Sequence, residues 1–93
     1  MFRSDGVVSL SLFGSLRRST MFSLRRILRE YQTERVRLDL SNCIHLDLDG
    51  LTVLAVAQRV ARVRGGNLTL ARVPPFIEDQ VRRAHLDRLL ESD

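Results

Sequence analysis

Val36-Arg37-Leu38-Asp39-Leu40-Ser41, then Leu46-Asp47-Leu48-Asp49-Gly50-Leu51, then Arg64-Gly65-Gly66-Asn67-Leu68-Thr69-Leu70: the reading of this chain turns on these three segments. Val36, Leu38 and Leu40 alternate with Arg37, Asp39 and Ser41, the two-residue period of a strand with one buried face. Arg35–Ser41 is therefore expected as a strand, and Asn42–Leu48 as a connection from which Cys43, Ile44 and Leu46 still reach the core. Asp49 is placed to cap a helix over Gly50–Arg64, whose Leu51, Val53, Leu54, Val56, Ala57, Val60, Ala61 and Val63 leave it apolar on most sides and predict deep packing. Gly65-Gly66 ends that helix, and Asn67–Val73 reads as the next strand. A strand, an acidic turn and a helix in this order gather backbone N–H groups and carboxylates at one exposed helix start, so a binding site is expected there.

Working outward, Asp5-Gly6 signals a turn, and Val8, Leu10 and Leu12 alternate with Val7, Ser9 and Ser11 in a strand that runs from Val7 to Phe13. From Leu16 to Gln32, Met21, Leu24, Leu28 and Tyr31, with Ile27 beside them, recur at helical spacing, while Arg18, Arg25, Arg26 and Arg29 lie off that stripe. This predicts an amphipathic helix with a basic outer face. Pro74-Pro75 stops the last strand and opens a third helix, with Glu78 and Asp79 in its first turn and Arg82 and Arg83 in its last. His85–Leu90 reads as a docking tail. Strands alternating with helices predict an α/β fold, with parallel pairing of the strands joined through Gly50–Arg64.

The 93 residues allow one small domain, expected over 1–93. Without Trp and with five aromatic residues in all, its core must be built from Leu and Val. No apolar run approaches the roughly 20 residues that span a bilayer, so a cytoplasmic location without membrane insertion is expected. Cys43 is the single cysteine and is expected as a buried thiol. All 15 basic residues are Arg, and residues 1–37 carry a net charge of +5 against −1 for residues 38–93. Clustered arginines attract polyanions, but with few aromatics for stacking and no recognisable motif the ordinary account is a solvated face, and nucleic acid is not an expected partner.

Asp47-Leu48-Asp49-Gly50 also resembles the first motif of haloacid dehalogenase-like phosphatases. A chain without Lys and without the downstream acidic metal-binding motif lacks that chemistry's other parts, so no catalytic residue and no cofactor is assigned. Cys43, His45, Asp47 and Asp49 fall at two-residue spacing, yet a straight strand does not bring four ligands together at roughly 2.0–2.3 Å, and no metal site is assigned.

A larger resemblance uses most of the chain. Gly14-Ser15-Leu16, Val36 to Ser41, Leu46 to Leu51, Arg62-Val63-Arg64-Gly65-Gly66-Asn67-Leu68-Thr69-Leu70, Val73-Pro74-Pro75 and His85-Leu86-Asp87-Arg88-Leu89-Leu90 follow the order and spacing of a STAS domain, the module of sulfate transporters and bacterial anti-sigma factor antagonists. The resemblance covers about residues 7–90. It implies a small α/β sandwich, a mixed sheet of about four strands with about three helices on it, shortened at the family's first and last strands. The edges so exposed make a homodimer or an obligate partner an expectation. In phospho-regulated members the turn reads Asp-Ser-Ser/Thr-Gly-Leu. By that match Asp47 is the family's Asp, Leu48 replaces the first Ser, and Asp49 stands at the phosphoacceptor position as a partial phosphomimetic. The resemblance implies a non-catalytic, protein-binding role in transcription regulation, like an anti-sigma factor antagonist. Asp47, Asp49, Gly50, Leu51, Gln58, Arg59 and Arg62 would meet a kinase-like anti-sigma factor. The alternative is an accessory cytoplasmic subunit of a membrane transporter, such as a lipid ABC system.

Overall fold

A computed structural model describes residues 2–4, 6–16 and 18–91. In chain order they form β1 (Phe2–Ser4), β2 (Val7–Leu16), α1 (Arg18–Glu30), β3 (Arg35–Leu46), α2 (Leu48–Val63), β4 (Asn67–Ala71), α3 (Pro75–Arg83) and a 3₁₀ turn at Asp87–Leu89. The sheet order is β1-β2-β3-β4, in which β2, β3 and β4 pair in parallel and the short β1 lies antiparallel on the outer side of β2. The expected α/β class with three helices and the parallel β3–α2–β4 unit are both present. Asp5 of the expected Asp5-Gly6 turn and the side chain of Arg18 lie outside the described residues.

The alternation read from sequence sets which face is covered. Val8, Leu10, Val36, Leu38, Leu40, Leu68 and Leu70 are buried and share one core with Met21, Leu24 and Leu28 of α1, Leu51 and Leu54 of α2, and Ile77 and Val81 of α3. The intervening residues form a polar back face, where Arg37 pairs with Glu91 at 2.6 Å and Arg72 with Asp39 at 3.4 Å. One covered face and one wetted face explain why these strands alternate, although parallel strands buried on both sides read as unbroken apolar runs.

Strand β3 continues through Leu46, past the expected end at Ser41, because its far half pairs with β2 rather than β4. Register shifts between Ser11 and Phe13 and between Gly14 and Ser15 change the phase of this ribbon. Cys43 and Leu46 therefore point inward, while Ile44, expected in the core, is 71% exposed. Beyond the reach of β4, α3 covers the strand, and Gln80 Nε2 donates to Leu46 O at 2.9 Å. The outer edge of β4 receives the C-terminal segment through a parallel bridge from Leu70 to Leu90 and a hydrogen bond from Glu91 N to Leu70 O at 3.0 Å.

The return from α2 to β4 is tight. Gly66 N donates to Ala61 O at 2.8 Å, and Asn67 N to Glu34 O at 3.1 Å, which starts β4 beside Arg35. A Cβ on Gly66 would run into Glu34 O and would lie 2.8 Å from Gln32 O and Glu34 N, all backbone atoms. Gly66→Ala is expected to lower stability by about 1–3 kcal/mol, seen as a lower denaturant midpoint at unchanged m value. On the back face, hydrogen bonds from the Ser41 side chain and backbone hold the Asp39 carboxyl below the usual carboxylate range. A depressed folded pKa means that this stabilisation is present above the unfolded value of about 3.9 and is lost as pH falls through the folded one. Asp39→Asn is expected to flatten the fall of stability on acidification below about pH 4, measured by denaturant titration at several pH values.

Candidate functional site

The junction of β3 and α2 carries the acidic turn. Asp47 is extended (φ −87°, ψ 173°), and its Oδ1 accepts from Gly50 N at 2.7 Å while its carbonyl takes the first intrahelical bond from Leu51 N at 3.0 Å. Asp47 is thus the N-cap, in place of the expected Asp49, because the helix starts at Leu48 and not at Gly50. Asp49 lies in the first turn and faces solvent, where its charge suits the helix dipole. Thr52 Oγ1 is engaged with its own helix, donating to Leu48 O at 2.9 Å.

Gly50 is there for want of space. A Cβ at this position would meet Leu46 Cδ1 at 2.9 Å, Leu16 O at 3.0 Å and Asp47 Oδ1 at 3.2 Å. The start of α2 therefore sits directly on the ends of β2 and β3, and Leu51, 2% exposed, anchors it in the core. Gly50 and Leu51, both expected as partner-binding residues, are buried and shape the turn without being reachable side chains. Gln58, expected on the exposed side of the helix, is buried. Its Nε2 donates to Leu68 O at 2.8 Å and to Arg88 O at 2.6 Å, tying α2 to β4 and to the 3₁₀ turn. Arg59 and Arg62 are exposed and, with Val56, Val63, Leu86 and Arg88, line a cleft of about 560 Å³ on one flank of α2.

Deep packing of α2 on most sides is not what the structure has. Leu51, Leu54, Gln58 and Ala61 turn inward, and Val56, Val60 and Val63 turn out, at 55%, 38% and 82% exposure. The sequence reading missed the opposite flank altogether. There Arg25 and Arg29 of α1 face Thr52, Val53, Val56 and Val60 of α2 across a groove of about 400 Å³. A second hollow of about 420 Å³, bounded by Phe22, Arg25 and Asp49, continues it to the acidic turn. The signal was present in the number of apolar residues along the helix, more than one buried stripe holds.

Cys43 is buried as expected. Burial pushes its thiol pKa up, and Sγ donates to His45 O at 3.3 Å. His45 and His85 are exposed, the latter just past the end of α3. The register shifts and the start of α2 break the row of Cys43, His45, Asp47 and Asp49, and among the described residues no three His, Cys, Asp or Glu side chains are grouped to hold a metal ion. No helix among the described residues is long and apolar enough to cross a membrane.

A family model described as "Mlab, STAS domain" matches residues 2–91. The chain belongs to this STAS family. Among solved structures it is similar to the anti-sigma factor antagonist SpoIIAA in its unphosphorylated form, with a TM-score of 0.78 and 15% identity over 100% of this chain and 84% of that one. A sulfate transporter family protein from Wolinella succinogenes gives 0.73 and 18% identity over 98% and 76%. The SulP transporter STAS domain from Vibrio cholerae gives 0.72 and 14% identity over 97% and 72%. At these identities the likeness is one of fold. A comparison with curated protein sequences returns no match.

The two aspartates of this STAS turn are expected to separate on substitution. Asp47→Ala removes the cap and should cost about 1 kcal/mol, whereas Asp49→Ala should cost no more than about 0.5 kcal/mol, both read from chemical denaturation. An equal loss for the two would contradict the assignment of Asp47 as the cap.

Proposed function

We propose that this STAS domain is a non-catalytic docking module whose grip on its partner is set by a permanent carboxylate instead of a phosphorylation switch. The observation that carries the reading is the solvent-facing Asp49 in the first turn of α2, where phospho-regulated members have a hydroxyl immediately before the glycine. Asp47 is occupied in capping and Thr52 in its own helix, which leaves Asp49 as the free acidic group of the turn. The contact surface runs from the Asp47–Leu51 turn, shaped by Gly50 and Leu51, along exposed α2 to Arg59 and Arg62.

A carboxylate that offers a serine/threonine kinase no hydroxyl suits lasting attachment. The partner best matched to it is a component of a membrane transporter, with this chain as accessory cytoplasmic subunit, lipid ABC transport included. The retained Asp47 and Gly50-Leu51 favour a second reading, an anti-sigma factor antagonist-like protein docked on a kinase-like regulator of transcription. There Asp49 imitates phosphoserine only in part, with a charge of −1 against about −1.5 to −2. Affinity capture from the native cell followed by identification of the retained protein separates them: a transporter nucleotide-binding subunit supports the first, an ATPase-fold regulator the second. With a cognate kinase and labelled ATP, the chain should take up no phosphate and Asp49→Ser should gain it at residue 49. Label on Thr52 or Ser41 of the unaltered chain would overturn the role given to Asp49.

A further inference from the structure

Charge pairing in this molecule is uneven. Arg37, Arg72, Arg82 and Arg83 each have a carboxylate within 4 Å, supplied by Glu91, Asp39, Glu78 with Asp87, and Asp79. Those pairs lie on the back of the sheet and around α3. Arg25 and Arg29 on α1 have no ion-pair partner among the described residues, and both line the groove against α2. Between them and the solvent-facing Val56 and Val60, the floor is Leu28, Val53 and Ala57. The result is an apolar trough with one basic wall and Asp49 at one end.

From Asp49 to Val60 the trough runs roughly 16 Å along α2, about three helical turns. Thr52, Val56 and Val60 stand four residues, or roughly 6 Å, apart, the spacing that interlocks with side-chain rows of another helix. Both walls are helices and offer no open backbone edge, so an added strand has nothing to bond to. Leu28 is buried and Val53 and Ala57 are half-buried in the floor, where side chains of a folded partner reach and a flat lipid surface does not. A nucleic acid would answer the arginines and leave the valine row against its phosphates unsatisfied.

We propose that the α1–α2 groove receives an acidic amphipathic helix of a partner protein, its aliphatic row lying on Val53, Val56 and Val60 and its carboxylates meeting Arg25 and Arg29. The inference rests on the docking reading above, shares Asp49 with its contact surface, and extends that surface to the flank of α2 opposite Arg59 and Arg62. Because Asp49 repels acids at its end of the trough, the partner helix carries its acidic residues toward the Arg29 end and places its N-terminus, the positive end of its dipole, at Asp49.

The test is a fluorescence anisotropy titration of the full chain against a designed, labelled 20-residue helical peptide with Leu at every third and fourth position and Glu beside that row, and against the same peptide with Lys for Glu. The Glu peptide should bind and the Lys peptide should not. Arg25→Ala combined with Arg29→Ala should weaken binding about tenfold, and Val56→Asp, at a solvent-facing site, by at least as much, with melting temperature unchanged in each case. Equal affinity for the two peptides, or binding indifferent to these substitutions, overturns the proposal. So does retention on phosphatidylglycerol vesicles, or self-association abolished by Val56→Asp, when the Glu peptide does not bind. Peptide binding without capture of any partner would count against the docking function and not the groove. Partner capture that survives Arg25→Ala with Arg29→Ala, with no peptide binding, would count against the groove and not the function.

Discussion

The hydrogen bond from Gly50 N–H to the Asp47 carboxylate, 2.7 Å long, fixes where α2 begins, and much of the molecule follows from that starting point. With the cap at Asp47, Gly50 comes to rest on Leu16 O and Leu46, where no side chain fits. Leu51, Leu54, Gln58 and Ala61 then face inward at successive turns, and Gln58 reaches the carbonyls of Leu68 and Arg88. The same phase turns Asp49, Val56, Val60 and Val63 outward. The buried and the exposed sides of α2 are two sides of one helix whose rotation is set at its first turn.

That coupling constrains how the surface can change. Asp49, Val56 and Arg59 are exposed, and substitutions there need not disturb folding, since most surface changes cost within about 0.5 kcal/mol. Gly50, Leu51 and Gln58 lie between them and belong to the interior. The exposed face of α2 can thus be rewritten in steps while the residues beneath it stay fixed.

The sequence made legible whatever depends on simple periodicity. The alternation in Val36 to Leu40 and Leu68 to Leu70 located the parallel strands and their buried face, and the ordered motifs pointed to the STAS family. Ile44 and the length of β3 were misread because register shifts against β2 change the phase, and pairing between strands leaves no local mark in either. Asp47 and Asp49 are both good capping residues, so only the position of the first helical hydrogen bond tells them apart. Gln58 was assigned to the surface by residue type, and its burial depends on two carbonyls supplied by segments far along the chain. The groove against α1 escaped notice because composition does not reveal which side of a valine-rich helix a neighbour leaves uncovered.

Cys43 has one more consequence. A lone sulfur shut within the β2–β3 ribbon and hydrogen-bonded to a carbonyl is protected from alkylating and oxidising reagents as long as that ribbon stays closed. Its rate of modification is therefore a built-in clock of local opening, read at a single atom beneath the junction from which α2 emerges, with no foreign label introduced.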